Sequence, residues 1–140
     1  MEVGEVVQLG LQEPLDLRYL MPMYGLQDNT MYVLDSVNKS LLANLDTTVT
    51  TANLVFTSHY ADTSSSVDVV EGSNDGTINS TANVTIVASP AAGKRRLVTF
   101  VTVFNPDSAT ANVNLKYNNN GTHRQIAKIV LKPGETWYGD

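Results

Sequence analysis

The sequence predicts an all-β fold, an antiparallel β-sandwich of jelly-roll or immunoglobulin-like type with an extended N-terminal arm. Three observations carry this. Apolar residues alternate with polar ones along short segments, the period of a half-buried strand. Turn-forming clusters separate those segments every eight to twelve residues or so. Charged residues make up only 16% of the chain, below the roughly 25% of ordinary globular proteins. Thr, Asn, Ser and Val take their place, a composition suited to strands and turns rather than to helix surfaces.

Residues 1–46 are expected to form the arm. The stretch "LGLQEPLDLRYLMPMYGLQDN" is rich in Leu, Met and Tyr but is broken by Pro14, Pro22 and Gly25. Neither a helical nor a strand period survives those prolines. It reads as a segment lying on a surface, its own or a neighbour's, or as an irregular strand on its own domain. Leu9, Leu11, Leu15, Leu17 and Tyr19 are its candidate partner-binding residues. Over residues 31–46, Val33, Leu34, Val37, Leu41 and Leu45 fit a short helix. A strand over 31–34 followed by a turn at Asn38-Lys39 is the alternative.

Residues 47–140 are expected to form the sandwich. In "TTVTTANLVFTSHY", Leu54, Phe56 and Ser58 oppose Val55, Thr57 and His59. "SVDVV" reads as a short strand ending at a turn cluster, "EGSNDGT". "TANVTIVAS" alternates again. "RRLVTFVTVFN" places Leu97, Thr99, Val101 and Val103 on one face, and Val98, Phe100, Thr102 and Phe104 on the other. Both faces are largely apolar, so this strand is central or lies at a subunit contact. "NPDSAT" is a turn in which Pro106 presets φ and Asp107 bonds the amides that follow. "ANVNLKYN" points Val113, Leu115 and Tyr117 inward. "NNNG" marks a hairpin, "THRQIAKIVLK" carries a bulge near Ala127, and "PG" turns the chain into a closing strand. "TAN" recurs at Thr51, Thr81 and Thr110, through a duplicated hairpin or by coincidence.

Composition excludes several classes of chemistry. Without cysteine there is neither a disulfide framework nor a zinc–thiolate site. The opening Met-Glu-Val-Gly-Glu is acidic where a secretory signal is basic, and no apolar run approaches the roughly 18 residues of a membrane span. A protein retained inside the cell, or inside a particle assembled there, is expected. His59 and His123 have no carboxylate at ligand spacing, and the oxygen-rich stretch from Asp68 to Asp75 does not match a calcium loop. Nucleotide-binding loops and nucleophile motifs are absent. No catalytic residue, metal or cofactor is therefore expected.

Residues 1–93 hold 11 acidic against two basic side chains, and residues 94–140 hold seven basic against three acidic. Such a split marks a nucleic-acid site, or halves that dock within or between chains. It also arises by chance. Lys94, Arg95 and Arg96 are the strongest cluster and are candidate partner-binding residues. No aromatic residue interleaves with them, which argues against a single-strand nucleic-acid platform.

The stretch "SPAAGKRRLVTFVTVFNPDSATANVNLKYNNNGTHRQIAKIVLKPGETW" resembles small structural proteins of tailed-bacteriophage virions. The shared features are a Pro-Ala-Ala-Gly loop, basic residues, a β-branched strand ending in Asn, an Asp-x-Ala turn and a terminal Leu-x-Pro-Gly-Glu-Thr. The likeness covers residues 78–140. It implies a non-enzymatic virion component, foremost a capsid decoration (cement) protein that binds and stabilises the head lattice through its arm. A neck, baseplate or fibre-attachment protein is the alternative within that class. The expected partners are the major capsid protein or other virion proteins. A homo-oligomer is expected, a trimer foremost, with neither nucleic acid nor membrane as partner. From the residues alone, Tyr60, Tyr117, Trp137 and Tyr138 suggest a further reading, a carbohydrate-binding sandwich whose aromatic rings stack on sugars.

Overall fold

The computed structural model describes residues 30–65 and 68–140. Nine strands make two antiparallel sheets, and no described residue is helical. They are β1 (Tyr32–Leu34), β2 (Lys39–Leu45), β3 (Leu54–Thr63), β4 (Val69–Ile78), β5 (Val84–Val87), β6 (Arg95–Phe104), β7 (Ala111–Asn119), β8 (Thr122–Leu131) and β9 (Thr136–Gly139). One sheet is ordered β1-β6-β3-β4, with β9 also on β6, and the other β5-β2-β7-β8. Only β3–β4 and β7–β8 stay within a sheet as consecutive hairpins. The other connections cross between sheets, so each hydrophobic inner face closes on the other.

The core lies between the layers. Leu54, Phe56, Val98, Val101 and Val103 meet Leu41, Ala43, Val113 and Leu115, all at most 2% exposed. One buried polar link ties the sheets together. An extra residue, Ile86, interrupts the β2–β5 ladder, and its carbonyl accepts from Ser58 Oγ at 2.8 Å and Asn74 Nδ2 at 3.1 Å. A bulge would otherwise leave that acceptor unpaired in the interior.

Several expectations need correction. Residues 31–46 are not a helix. They form β1 and β2, separated by a turn, so the sandwich begins well before residue 47. β2 pairs with both β5 and β7 and is buried on both faces, Leu42 and Ser40 included. It therefore lacks the alternation that announces a strand. "EGSNDGT" is not a turn: it lies within β4, in unbroken register with β3. Its glycines sit beneath aromatic rings on the neighbouring strand, Gly72 beneath Tyr60 and Gly76 beneath Phe56. The three "TAN" stretches precede or open β3, β5 and β7, but β5 is followed by a strand of the other sheet, so they do not head equivalent hairpins.

The bulge near Ala127 is present, with Ile126 the unpaired residue, and Asn120-Gly121 makes the β7–β8 turn with both φ values positive (52° and 89°). That pair of angles matches a type I′ turn, for which Asn-Gly is the favoured sequence.

Candidate functional site: the outer face of the five-stranded sheet

β6 is central, with β3 on one edge and both β1 and β9 on the other. Its facing differs from strict alternation. His59 pairs with Phe100 but Tyr60 pairs with Val98, leaving Thr99 as an inserted residue. One insertion reverses the phase. Val98 therefore joins Val101 and Val103 in the core, while Phe100, Thr102 and Phe104 face outward. The bulge is pinned by Thr99 Oγ1, which donates to the His59 carbonyl at 3.0 Å.

The outer face of this sheet is unusually apolar. His59 and Phe100 stack with ring centroids 4.3 Å apart. Thr57 and Thr102 hydroxyls meet at 2.6 Å. Val55, Phe104 and Tyr138 are 42%, 40% and 73% exposed. An open groove of roughly 550 Å³ lies toward one end, lined by His59, Ala61, Thr99, Phe100 and Tyr138, with Glu71 and Asp140 among its polar members. Aromatic residues gathered on a rigid sheet and left accessible mark contact surfaces.

The opposite outer face, on the four-stranded sheet, is polar. Asn114 Nδ2 donates to Asp46 at 2.8 Å and to Asn44 at 3.1 Å, Lys128 pairs with Asp46 at 2.7 Å, and Lys116 reaches Asn83 at 3.1 Å. Lys128, then Asn114, hold the Asp46 carboxyl below the usual range. These groups satisfy one another, which makes the face polar and internally paired.

The basic cluster divides. Arg96 is engaged within the chain. Its guanidinium grips Asp62 with Nε–Oδ1 at 2.8 Å and Nη2–Oδ2 at 2.9 Å, donates to the Ala88 carbonyl at 2.9 Å, and lies 3.9 Å from the Tyr60 ring centroid. The pair is 12% and 15% exposed, and Asp62 raises the Arg96 pKa. Lys94 and Arg95 remain accessible, Lys94 half-buried and Arg95 exposed. Leu9, Leu11, Leu15, Leu17 and Tyr19 lie outside the described residues. Among the described residues, opposite charges from the acidic and basic stretches meet inside the chain in two ion pairs, Asp62–Arg96 and Asp46–Lys128.

The aromatic set expected for sugar stacking is mostly used internally. Tyr60 lies beneath Arg96, Tyr117 packs on Tyr32 at 5.0 Å, and Trp137 packs against the core beside Gly139. Only Tyr138 of the four is presented openly. Among the described residues no cluster of three His, Asp or Glu is arranged to hold a metal ion.

Asp107 was expected to bond the amides that follow it. Instead it reaches back across the fold. Its carboxylate accepts from the Thr50, Thr51 and Ala52 amides at 2.9, 2.7 and 3.2 Å, and from Thr51 Oγ1 at 3.0 Å. The local turn is closed by Asn105, whose Oδ1 accepts from the Asp107 amide at 2.9 Å.

Comparison with known protein families, with curated proteins and with solved structures returned no match for this chain. The outer face missing from the sequence reading had one signal, the double-sided apolar character of residues 97–104. The bulge that sorts those residues between core and surface had none.

Proposed function

We propose that this protein is a non-enzymatic structural component of a tailed-bacteriophage virion, a capsid decoration protein that adheres to the head lattice. The observation that carries the reading is the asymmetry of the sandwich: an aromatic, accessible outer face on the five-stranded sheet against a self-satisfied polar one on the four-stranded sheet. Adhesion needs such a flat, rigid, partly apolar surface, and turnover of a substrate does not. The resemblance of residues 78–140 to virion proteins points to the same class, while its turn and strand motifs specify a scaffold more than a role. In this reading Val55, Phe104 and Tyr138 bear on the lattice, Lys94 and Arg95 meet acidic groups of the partner, and the Leu-rich arm reaches an adjacent subunit. A trimer at a three-fold lattice position suits these roles.

Mass spectrometry of gradient-purified virions should detect the chain, and densitometry should give hundreds of copies per particle. About a dozen copies would move the protein to the neck or tail. Complete absence from the particles would end the virion reading.

A further inference from the structure

We propose that Asn120 is a site of spontaneous covalent modification, converted to aspartate and isoaspartate by attack of the Gly121 amide, and that Asn118 governs the rate. Of the thirteen asparagines in the chain, only Asn120 is followed by glycine. The pair forms the exposed turn between β7 and β8, with φ values of 52° and 89°. A Cβ added at Gly121 would meet nothing within 4 Å, so the backbone there is open to solvent. Asparagine is among the chemically labile side chains, and a following glycine leaves the attacking nitrogen unshielded.

The chemistry needs only water. Solvent base removes the Gly121 amide proton, and the nitrogen attacks Asn120 Cγ. The N–Cγ bond forms, the Cγ–Nδ2 bond breaks, and ammonia leaves with a proton taken from water. A five-membered succinimide results, which a second water opens. Addition at Cγ leaves the main chain on its usual path, through aspartate. Addition at the backbone carbonyl carbon of residue 120 routes the main chain through Cγ, as isoaspartate, one atom longer. Either product carries a new carboxylate. The longer link alters a turn that Asn-Gly fits closely. It is also felt at the turn between β1 and β2, because the Asn120 amide donates to the Asn38 carbonyl at 2.8 Å.

What holds the attacking nitrogen sets the rate. The β7–β8 ladder ends at the pair Asn119–Thr122. The two residues beyond it lie outside the ladder, so their amides need other acceptors. The Gly121 amide donates to Asn118 Oδ1 at 2.9 Å. Asn118 is itself oriented, since its Nδ2 donates to Ser40 Oγ at 3.1 Å, leaving the oxygen as the end that serves the turn. The hydrogen bond keeps the proton on the Gly121 nitrogen and must break before attack. The modification is independent of any role in adhesion.

The full-length protein, aged at mildly alkaline pH, should accumulate a more acidic form. Peptide mapping by mass spectrometry should place the conversion at Asn120 ahead of every other asparagine. Asn118→Ala should speed it roughly five- to ten-fold, the weight of one hydrogen bond, with faster hydrogen exchange at the Gly121 amide. Asn118→Asp keeps an acceptor for that amide and should convert Asn120 at close to the wild-type rate. Thermal unfolding checks that folded chains are compared. Earlier conversion at another asparagine, or none at Asn120 in wild type and Asn118→Ala alike, overturns the site. Equal rates in wild type and Asn118→Ala, or equal rates in the two variants, overturn the role of Asn118. Gly121 exchange in the wild type at the rate of an unstructured chain overturns that role without any variant.

Discussion

Asp107 and Arg96 show how single side chains hold this fold by reaching far along the sequence. Asp107 fastens the loop before β3 to the loop after β6, and its hydrogen bonds to the Thr50 and Thr51 amides hold its carboxyl far below the ordinary range. A depressed folded-state pKa means the stabilisation is complete above the unfolded value of about 4 and is lost as pH falls below it. Asp107→Asn should therefore lower Tm at neutral pH, and the difference from wild type should narrow steadily below about pH 4. Thermal unfolding followed across that range decides it; a constant difference would mean the ionised form is not what matters. Arg96→Ala leaves Asp62 nearly buried without its partner and uncovers Tyr60, a loss of about 2–3 kcal/mol. Arg95→Ala, one residue away but exposed, should stay within about 0.5 kcal/mol. Urea midpoints at unchanged slope would measure both. Nothing in the run Lys94-Arg95-Arg96 distinguishes its members; the carboxylate that claims Arg96 is 34 residues away.

At the scale of strands, legibility followed from how many faces a strand exposes. β3 and β7 alternate because one side meets the core and the other meets water or a mixed surface, and their inward residues were readable. β2 is buried on both faces, so its apolar residues carry no period, and Leu41 and Leu45 together with Val33 and Leu34 of β1 and Val37 of the intervening turn happen to fit a helix. β4 erred the other way. Its Gly, Asn and Asp disfavour strands, but ten register pairs with β3 and two rings lying over its glycines override that preference. This makes a graded prediction. A Cβ on Gly76 would come within 2.8 Å of Phe56, which is 2% exposed, whereas one on Gly72 would meet the outer end of the half-buried Tyr60 ring. Gly76→Ala should cost about 1–3 kcal/mol, the penalty of overpacking a core that cannot yield. Gly72→Ala should cost less, because Tyr60 can move its hydroxyl end toward solvent. Equal losses would place the origin in backbone pairing and not in the rings. The bulge at Thr99 was the element the sequence concealed most fully: one inserted residue moves Val98 into the core and Phe100 out of it, and no composition rule marks the spot.

The whole molecule is a sandwich whose two outer faces have different fates, and the difference is testable without knowing the partner's identity. The long strands at the free edges, β4 and β8, carry Glu71 and Asp75, and Arg124 and Lys128 with the Ile126 bulge, features that discourage edge-to-edge pairing. In the proposed reading, adhesion then comes from a face or from the arm. Phe104→Ser and Tyr138→Ser change side chains that are 40% and 73% exposed, so each should leave the unfolding midpoint almost unmoved. If this is the adhesive face, as proposed, they remove aromatic anchors, for which losses of about 1–2 kcal/mol, or roughly ten-fold in affinity, are usual. Val130→Ser, 60% exposed and on the polar side, is the control and should bind as wild type. Co-sedimentation with particles lacking the chain measures all three. Deleting residues 1–25 separates the arm from the face: attachment should fail, while Tm falls by no more than about 5 °C, because the core described from Leu34 onward is intact. A deletion that unfolds the sandwich would make those residues part of its core. A deletion that binds normally would assign adhesion to the sheet face alone.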